Sequence, residues 1–365
     1  MKVHFIDVRQ GDAILIQYGG ENYLIDSGKN LSSDKLINYI DSVGVMVLEC
    51  CLITHPDFDH YGEFEDLIES GICTINKFIV NKDTSYNVTY QTLMDLLYTE
   101  NIPVDSVDFQ DDLEWTMTTD ILSPDYTNGF TGNNDNSIVI KLSLGEIDFL
   151  LTGDSCEDNN QYLIDNYDLD IEVLKVSHHG GLNGTSAMFL ANTTPIISVI
   201  SSGNNSYGHP SAEVIGLLQD MDSHIYSTAD DWNTWWINGG NGSSDVSLND
   251  DIIVQTDGVS IWVNEQLVWT NYSVQQDNNS ACMFEVFPNP CNGSMKVRFN
   301  SKQDTPVSIH VYDIKGKIVH HLLNNHVMFG NHELIWNVEN ITSGIYFCKY
   351  QQGEYQRVAK FLILQ

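Results

Sequence analysis

The sequence predicts an α/β domain over residues 1–270, a polar linker over 271–283 and a small all-β sandwich over 284–365. Three observations predict this. Up to residue 270, apolar runs of strand length alternate with stretches of helical period, which is the pattern of an α/β domain. From Tyr272 to Ser280 the chain turns polar, rich in Asn and Gln, and reads as a linker. Beyond it come short alternating runs separated by turns, with no helical period.

Taken in order, Val3–Val8, Ala13–Tyr18 and Tyr23–Ile25 read as strands. Asp34–Val43 reads as a helix with Leu36, Ile37 and Ile40 on one face. Cys50–Thr54 is a strand, Glu63–Ser70 a helix and Ile75–Val80 a strand. Ser137–Leu142 and Ile147–Leu151 form a hairpin about Gly145, and Ile171–Val176 and Pro195–Ile200 are buried strands. Asn233–Asp250, rich in Gly, Asn and Ser, reads as loop. The tail strands are Val297–Phe299, Val307–Tyr312, Lys317–Leu322, Glu333–Val338, Gly344–Tyr350 and Val358–Leu364.

The 365 residues carry 50 Asp and Glu against 16 Lys and Arg, a net charge of −34. That balance excludes long-range attraction to nucleic acid or to anionic membrane, so nucleic acid enters only as a substrate held by local positive charge. No run of about 18 apolar residues marks a transmembrane helix. No signal peptide is read at the N-terminus, where Met1-Lys2 runs directly into a strand. Among seven cysteines, Cys50, Cys51, Cys73 and Cys156 adjoin apolar runs and read as buried thiols. A Cys291–Cys348 or Cys282–Cys291 disulfide is open to an exported chain.

The chemistry concentrates at strand ends. Thr54-His55-Pro56-Asp57-Phe58-Asp59-His60 sets four potential metal ligands within six residues, directly after an apolar strand. Imidazole and carboxylate together suit Zn²⁺ or a similar divalent ion. Leu151-Thr-Gly-Asp154 places a carboxylate where it can bridge two ions. Ser177-His178-His179-Gly180-Gly181 and Tyr207-Gly-His209-Pro210 repeat the theme of polar residues after apolar strands.

These pieces, with His4 to Asp12, Leu24 to Gly28 and Asn134-Asp-Asn136-Ser137, resemble the metallo-β-lactamase superfamily. More narrowly, they resemble the hydrolase domain of ComEC-type competence proteins across residues 1–270. The resemblance implies an αββα sandwich with a site for two divalent metal ions at one edge. It implies that His55 and Asp57 serve one ion. Asp59 and His60 serve the other with His178 or His179, and Asp154 bridges. Asp26 orients ligands, and Asn136 and Ser137 lie at the site. Asp59 or His209 would handle protons. The family's third motif normally supplies a His, yet none lies between His60 and His178, so Asn136 or Asp135 would stand in. With that oxygen-rich set Mn²⁺ or Mg²⁺ become alternatives to Zn²⁺. Arg9 occupies the place where the family has Gly. Lys29, Lys82 and Lys175 are among the few cations near the site in sequence.

The tail motifs Val286-Phe-Pro-Asn-Pro290, Tyr312-Asp-Ile-Lys-Gly316, Ile341-Thr-Ser-Gly344 and Lys360 to Gln365 resemble the C-terminal sorting domain of type IX secretion substrates, an Ig-like sandwich. That implies a translocon partner and a secreted or surface-attached location. The expectation is a secreted metal-dependent hydrolase of phosphodiesters. The alternatives are a hydrolase of small esters, lactones or cyclic nucleotides, and a surface binding protein on a degenerate hydrolase fold.

Overall fold

Strand pairing, not sequence order, assembles the site end of the first domain. The computed structural model describes the chain apart from residues 30–33, 83–86, 128, 131, 204, 229–245, 249–250, 272–283, 302–304, 328–329, 353–354 and 365. Two compact units emerge: 1–219 with 223–270, and 220–222 with 271–365.

The first unit holds two large sheets. The nine-stranded sheet runs Gln266–Thr270, Ser260–Val263, Ile252–Thr256, Lys2–Phe5, Ile14–Tyr18, Glu21–Ile25, Cys50–Ile53, Phe78–Asn81, Val104–Val107. The seven-stranded sheet runs Val246–Leu248, His224–Ser227, Ile197–Ile200, Val173–Lys175, Ile147–Leu151, Val139–Leu144, Thr118–Ser123. One core lies between them: Val3, Phe5, Ile25 and Leu52 from the first sheet pack with Ile140, Phe149, Val173 and Val199 from the second. A second core covers the outer face of the nine-stranded sheet. There Leu24, Cys51, Ile53 and Phe78 meet Leu36 and Ile40 of helix Lys35–Ser42, Phe64 and Leu67 of helix Phe64–Ser70, and Leu93 and Leu97 of helix Val88–Thr99. Alternation explains both: successive side chains of one strand face opposite sides, so Leu52 goes inward while Cys51 and Ile53 go outward.

The parallel pairs decide where chemistry can occur. Ile25 registers with Leu52 and Leu52 with Ile79, while Leu151 registers with Lys175 and Lys175 with Val199. In-register parallel strands end together, so the loops after residues 25, 53, 151, 175 and 200 share one edge, the usual place for a site in such sheets.

Several sequence expectations change. Val47–Leu48 forms a short strand of its own before Cys50–Ile53, and the strand expected over 75–80 divides into Thr74–Ile75 and Phe78–Asn81. The two short pieces pair with each other in a separate ribbon. The expected loop over 233–250 contains the edge strand Val246–Leu248, and its other residues lie outside the described ones. The expected linker, 271–283, also falls outside them beyond Asn271. Cys73 and Cys156 are half-buried rather than buried. Cys291 and Cys348 are both free thiols, so the Cys291–Cys348 pair is not formed, and Cys282 of the other pair lies outside the described residues. Cys291 and Cys348 are instead core side chains of the tail.

The tail is a sandwich. A three-stranded sheet (Phe284–Phe287, Ser294–Ser301, Gly330–Asn337) and a four-stranded one (Ile318–Val327, Thr305–Asp313, Gly344–Gln352, Tyr355–Ile363) share one core. Val297 and Phe299 enter it from the first sheet, and Ile309, Tyr350 and Phe361 from the second.

Candidate metal centre

Asp26 organises the site from beneath. It ends strand Glu21–Ile25 in a left-handed conformation (φ 57°) and is fully buried. Its Oδ1 accepts the Thr54 backbone N–H at 2.8 Å. Its Oδ2 accepts the Thr54 hydroxyl and the His60 Nδ1–H, each at 2.7 Å. Fixing Nδ1 as the donor leaves Nε2 of His60 as the free lone pair, which is how an outer carboxylate prepares a metal-binding imidazole. The pattern repeats for His179, whose Nδ1 donates to the Ser201 carbonyl at 2.9 Å. His55 Nδ1 lies 3.1 Å from the Thr54 hydroxyl and 3.3 Å from that of Ser137.

The freed nitrogens converge. His60 Nε2 lies 3.3 Å and His179 Nε2 3.4 Å from Asp154 Oδ2. His179 Nε2 is 3.6 Å from Asp59 Oδ2, and His55 Nε2 is 3.7 Å from Asp57 Oδ2. The Nε2 atoms of His55, His60 and His179, all buried, have no hydrogen-bond partner among the described residues. Ligand atoms of His55, His60 and Asp154 fall within 4.8 Å of one another, as do those of Asp59, His60 and His179. Such spacing suits atoms sharing an ion at about 2.0–2.2 Å. Three buried imidazoles with orphaned lone pairs beside carboxylates are a costly arrangement unless a cation is bound there, so the residues fit a divalent metal centre.

The backbone around the ligands is strained or tightly packed. His178 and His179 both adopt left-handed φ, 50° and 53°. This turn aims the two rings apart: His179 enters the cluster, while His178 stays partly exposed, its Nε2 3.8 Å from Asp154 Oδ2 and 3.3 Å from Asn134 Nδ2. His209 stacks edge-on against His178 with ring centres 4.9 Å apart. A Cβ on Gly181 would stand 2.8 Å from His209 Cε1, so only glycine lets that ring approach. Asn205 holds the turn, its Oδ1 accepting the backbone N–H of Tyr207, Gly208 and His209.

Electrostatics follow the carboxylates. Burial alone would lower the His60 and His179 imidazoles, but Asp154 overrides it for both, with Asp26 for His60 and Asp12 for His179. His60 ends well above its ordinary value and His179 at about 10. A cation entering the set must displace those protons, so its affinity falls as pH falls. Burial would raise Asp154 and Asp59, yet His179 and His60 hold both below the usual carboxylate range. His209 is pushed down to about 4 by burial and by His178 and His179, so its ring is neutral near pH 7.

Of the sequence-derived candidates, the structure brings His55, Asp59, His60, Asp154 and His179 together, with Asp26 behind and Ser137 alongside. Asp57, 39% exposed, sits at the rim with its Oδ1 on Asn133 Nδ2 at 2.9 Å. Asn136 and Asp135 do not take the place of the missing His. Asn136 Nδ2 turns to the Phe130 carbonyl, and Asp135 accepts from the Asn159 N–H. Asn133 and Asn134 reach the site instead, because the short helix Asn134–Asn136 turns those later side chains away.

Sequence reasoning gave no role to Asp12 and left the placement of Lys175 open. Lys175 is fully buried. Its ammonium contacts Asp12 Oδ2, donates to the Gly153 carbonyl at 2.8 Å and lies 3.8 Å from Asp154 Oδ1. Burial would raise the Asp12 carboxyl, but Lys175 and His179 keep it below its ordinary value. The signal was present: a lysine inside the apolar run Val173–Val176 needs a buried counter-charge. Gly11-Asp12 also repeats the Gly-Asp of residues 153–154.

The fold and this cluster define a class. Residues 6–86 match the metallo-beta-lactamase superfamily, and residues 285–364 match the secretion system C-terminal sorting domain. The first unit is thus similar to that superfamily over residues 6–86, and the all-β tail is similar to the sorting domain over residues 285–364. More particularly, the chain is 27% identical over 248 residues to ComE operon protein 3 of Bacillus subtilis (strain 168), covering 62% of this chain and 32% of that protein. It is 31% identical over 241 residues to Recombination protein 2 of Haemophilus influenzae, covering 62% and 28%. The chain thus spans about a third of the length of the curated relatives it matches. A metallo-beta-lactamase with a HARLDQ motif from Cronobacter sakazakii aligns over 47% of this chain and 73% of its own, at 12% identity and a TM-score of 0.33. Among the described residues no helix is long and apolar enough to cross a membrane.

Proposed function

We propose that the protein is an exported metal-dependent hydrolase that cleaves phosphodiesters with an activated water. The observation that carries this reading is the convergence of three buried, unpartnered Nε2 atoms on Asp154 and Asp59. His55, His60 and Asp154 would hold one divalent ion, and Asp59 and His179 a second beside the shared Asp154, with Asp57 closing the rim. Zn²⁺ suits the imidazoles, and the carboxylate share also admits Mn²⁺ or Mg²⁺. Bound there, such ions supply a water acidified to near neutral pH and neutralise charge on the developing anion.

The chain's own residues do the rest. Asp26, through His60, and the Ser201 carbonyl, through His179, fix ring orientation so that the ligand set costs little reorganisation. Asp59 is ionised and faces the cluster from the exposed side, placed to accept a proton from the attacking water. His209 is neutral and borders the site on the His178 side, where it contacts the leaving group as a hydrogen-bond partner. Lys175 screens Asp12 from Asp154, which keeps two buried carboxylates compatible in one pocket. The sorting-domain match supports a type IX translocon as partner and a secreted or surface-attached location.

The test is hydrolysis of bis(p-nitrophenyl)phosphate by metal-loaded protein, with metal content measured in parallel. Activity lost on chelation, restored by divalent metal and abolished in Asp59→Ala supports the reading. Hydrolysis of lactones or small esters alone favours that chemistry instead. Inert protein without bound metal favours a binding protein on the same fold.

A further inference from the structure

The first unit has eight Lys and Arg residues in its 270 positions, and the structure accounts for six. Lys2 and Lys77 stand at the start of strands whose far ends lead to the site, so they lie at the opposite edge. Lys35, Lys82 and Lys141 are paired with Asp7, Asp108 and Asp148. Lys175 is buried against Asp12. Arg9 and Lys29 remain. Neither side chain has a hydrogen bond or ion pair among the described residues. Arg9 is exposed and Lys29 half-buried.

Both stand on loops that close over the site. Gly28, just before Lys29, packs against Val8, and its N–H donates to the Asp12 carbonyl at 2.7 Å. A Cβ on Gly11 would stand 2.2 Å from the Asp59 carbonyl, so the 9–12 loop lies directly on the ligand loop. On its other side, a Cβ on Gly203 would stand 2.3 Å from the Arg9 carbonyl carbon. Gly203 follows Ser201, the acceptor for His179, and its own carbonyl is tied through Asn205 to the His209 turn. Arg9 itself holds φ 66°, a left-handed conformation that suits glycine and is uncommon for a long side chain. Strain of this kind collects at functional positions.

We propose that Arg9 and Lys29 form the anion-binding rim of the site and restrict it to short phosphodiesters presenting one or two phosphates. This rests on the hydrolase reading and sets its substrate class. In the first unit, with only these two cations lacking a partner among the described residues and the chain at a net charge of −34, a phosphate backbone finds nothing further to follow there. Arginine offers a planar fork to phosphate and lysine a mobile point charge, so each can meet one phosphate.

The test uses the full chain loaded with Mn²⁺ or Zn²⁺, with a 5′-phosphorylated thymidine dinucleotide, which presents two phosphates, and a longer single strand as probes. Binding is followed by titration calorimetry and turnover by product release, across a salt series. With two phosphates neutralised, log affinity against log salt should have a slope of about −1.4 for both probes, because single strands contribute about −0.7 per phosphate contact. R9Q and K29Q should each flatten that slope by about 0.7 and raise KM several-fold with kcat unchanged. R9G should lose the same contact while keeping or raising the melting temperature, which separates anion binding from a structural role. A slope steeper than about −3 on the longer strand, or affinity indifferent to R9Q and K29Q, overturns the proposal. Binding that responds to R9Q without any turnover sinks the hydrolase reading and leaves the rim standing.

Discussion

Asp26 shows how much a single buried side chain can decide. It accepts from three donors: the Thr54 N–H, the Thr54 hydroxyl and the His60 Nδ1–H. An amide at that position has one accepting atom and one donating atom, so Asp26→Asn must turn an N–H against a donor. We expect it to weaken metal affinity by about 10- to 100-fold, the usual cost of losing a ligand-orienting carboxylate, measured by competition with a chromogenic chelator. Asp26→Ala should also destabilise the fold by about 1–3 kcal/mol for each buried donor left unpaired. Gly181 makes a different prediction. Its φ is ordinary, and the atoms a Cβ would strike are the His209 ring and the Asn183 amide, both able to swing aside. Gly181→Ala should therefore leave the melting temperature nearly unchanged. It should still cut turnover by about 10- to 100-fold, since displacing a reacting group by about 1 Å can cost that much.

At the scale of elements, the parallel strands of the smaller sheet are tied together at their starting ends by Glu172. Its carboxylate accepts the Asp148 N–H at 2.9 Å, and its carbonyl accepts from Ile196 and Ile197. Burial, helped by Asp148 and Asp170, pushes the Glu172 carboxyl up to about 7 from an ordinary 4.5. Between those values the folded chain binds more protons than the unfolded one, so this group makes stability fall as pH rises. Its contribution is full below pH 4.5 and is lost as pH passes 7, a difference of roughly 3 kcal/mol. Glu172→Gln keeps the acceptor and removes the titration. Denaturant unfolding of the two proteins at pH 5 and pH 8 should show the wild type losing roughly 3 kcal/mol more than the variant between those conditions. Equal losses would place the carboxyl's titration near its ordinary value.

For the whole molecule, each of the two units has a hydrophobic core of its own among the described residues. Removal of residues 284–365 should leave hydrolysis of a small phosphodiester intact in vitro while the protein stays inside the cell, as read by fractionation. Metal binding should act on one unit alone. At about 100 times its dissociation constant a divalent ion stabilises the unit that binds it by about 2.7 kcal/mol. Calorimetry with and without chelator should therefore shift one melting transition and leave the tail's in place. A shift in both would mean that the units unfold as one.

The sequence by itself determined the broad architecture and the identities of most candidate ligands, because both are written locally. Alternation marks a strand, a helical period marks a helix, and His55 through His60 need only one loop to lie close together. It also marked the tail strands, although Ile318–Val327 runs further than the apolar pattern suggests. What it left undecided was which distant residues would meet. Helix Val88–Thr99, whose apolar face is weak, and the roles of Asp12, Lys175, Asn133, Asn134 and Ser201 emerge only when the parallel strands pair in register. Gln10 and Gly203 become neighbours across 193 positions, their contact set by strand order in two sheets and by the packing between them. Period and turn chemistry act over a few residues; register and layer packing act over the whole domain, and it is the latter that assemble the candidate metal centre and leave Arg9 and Lys29 without a partner among the described residues.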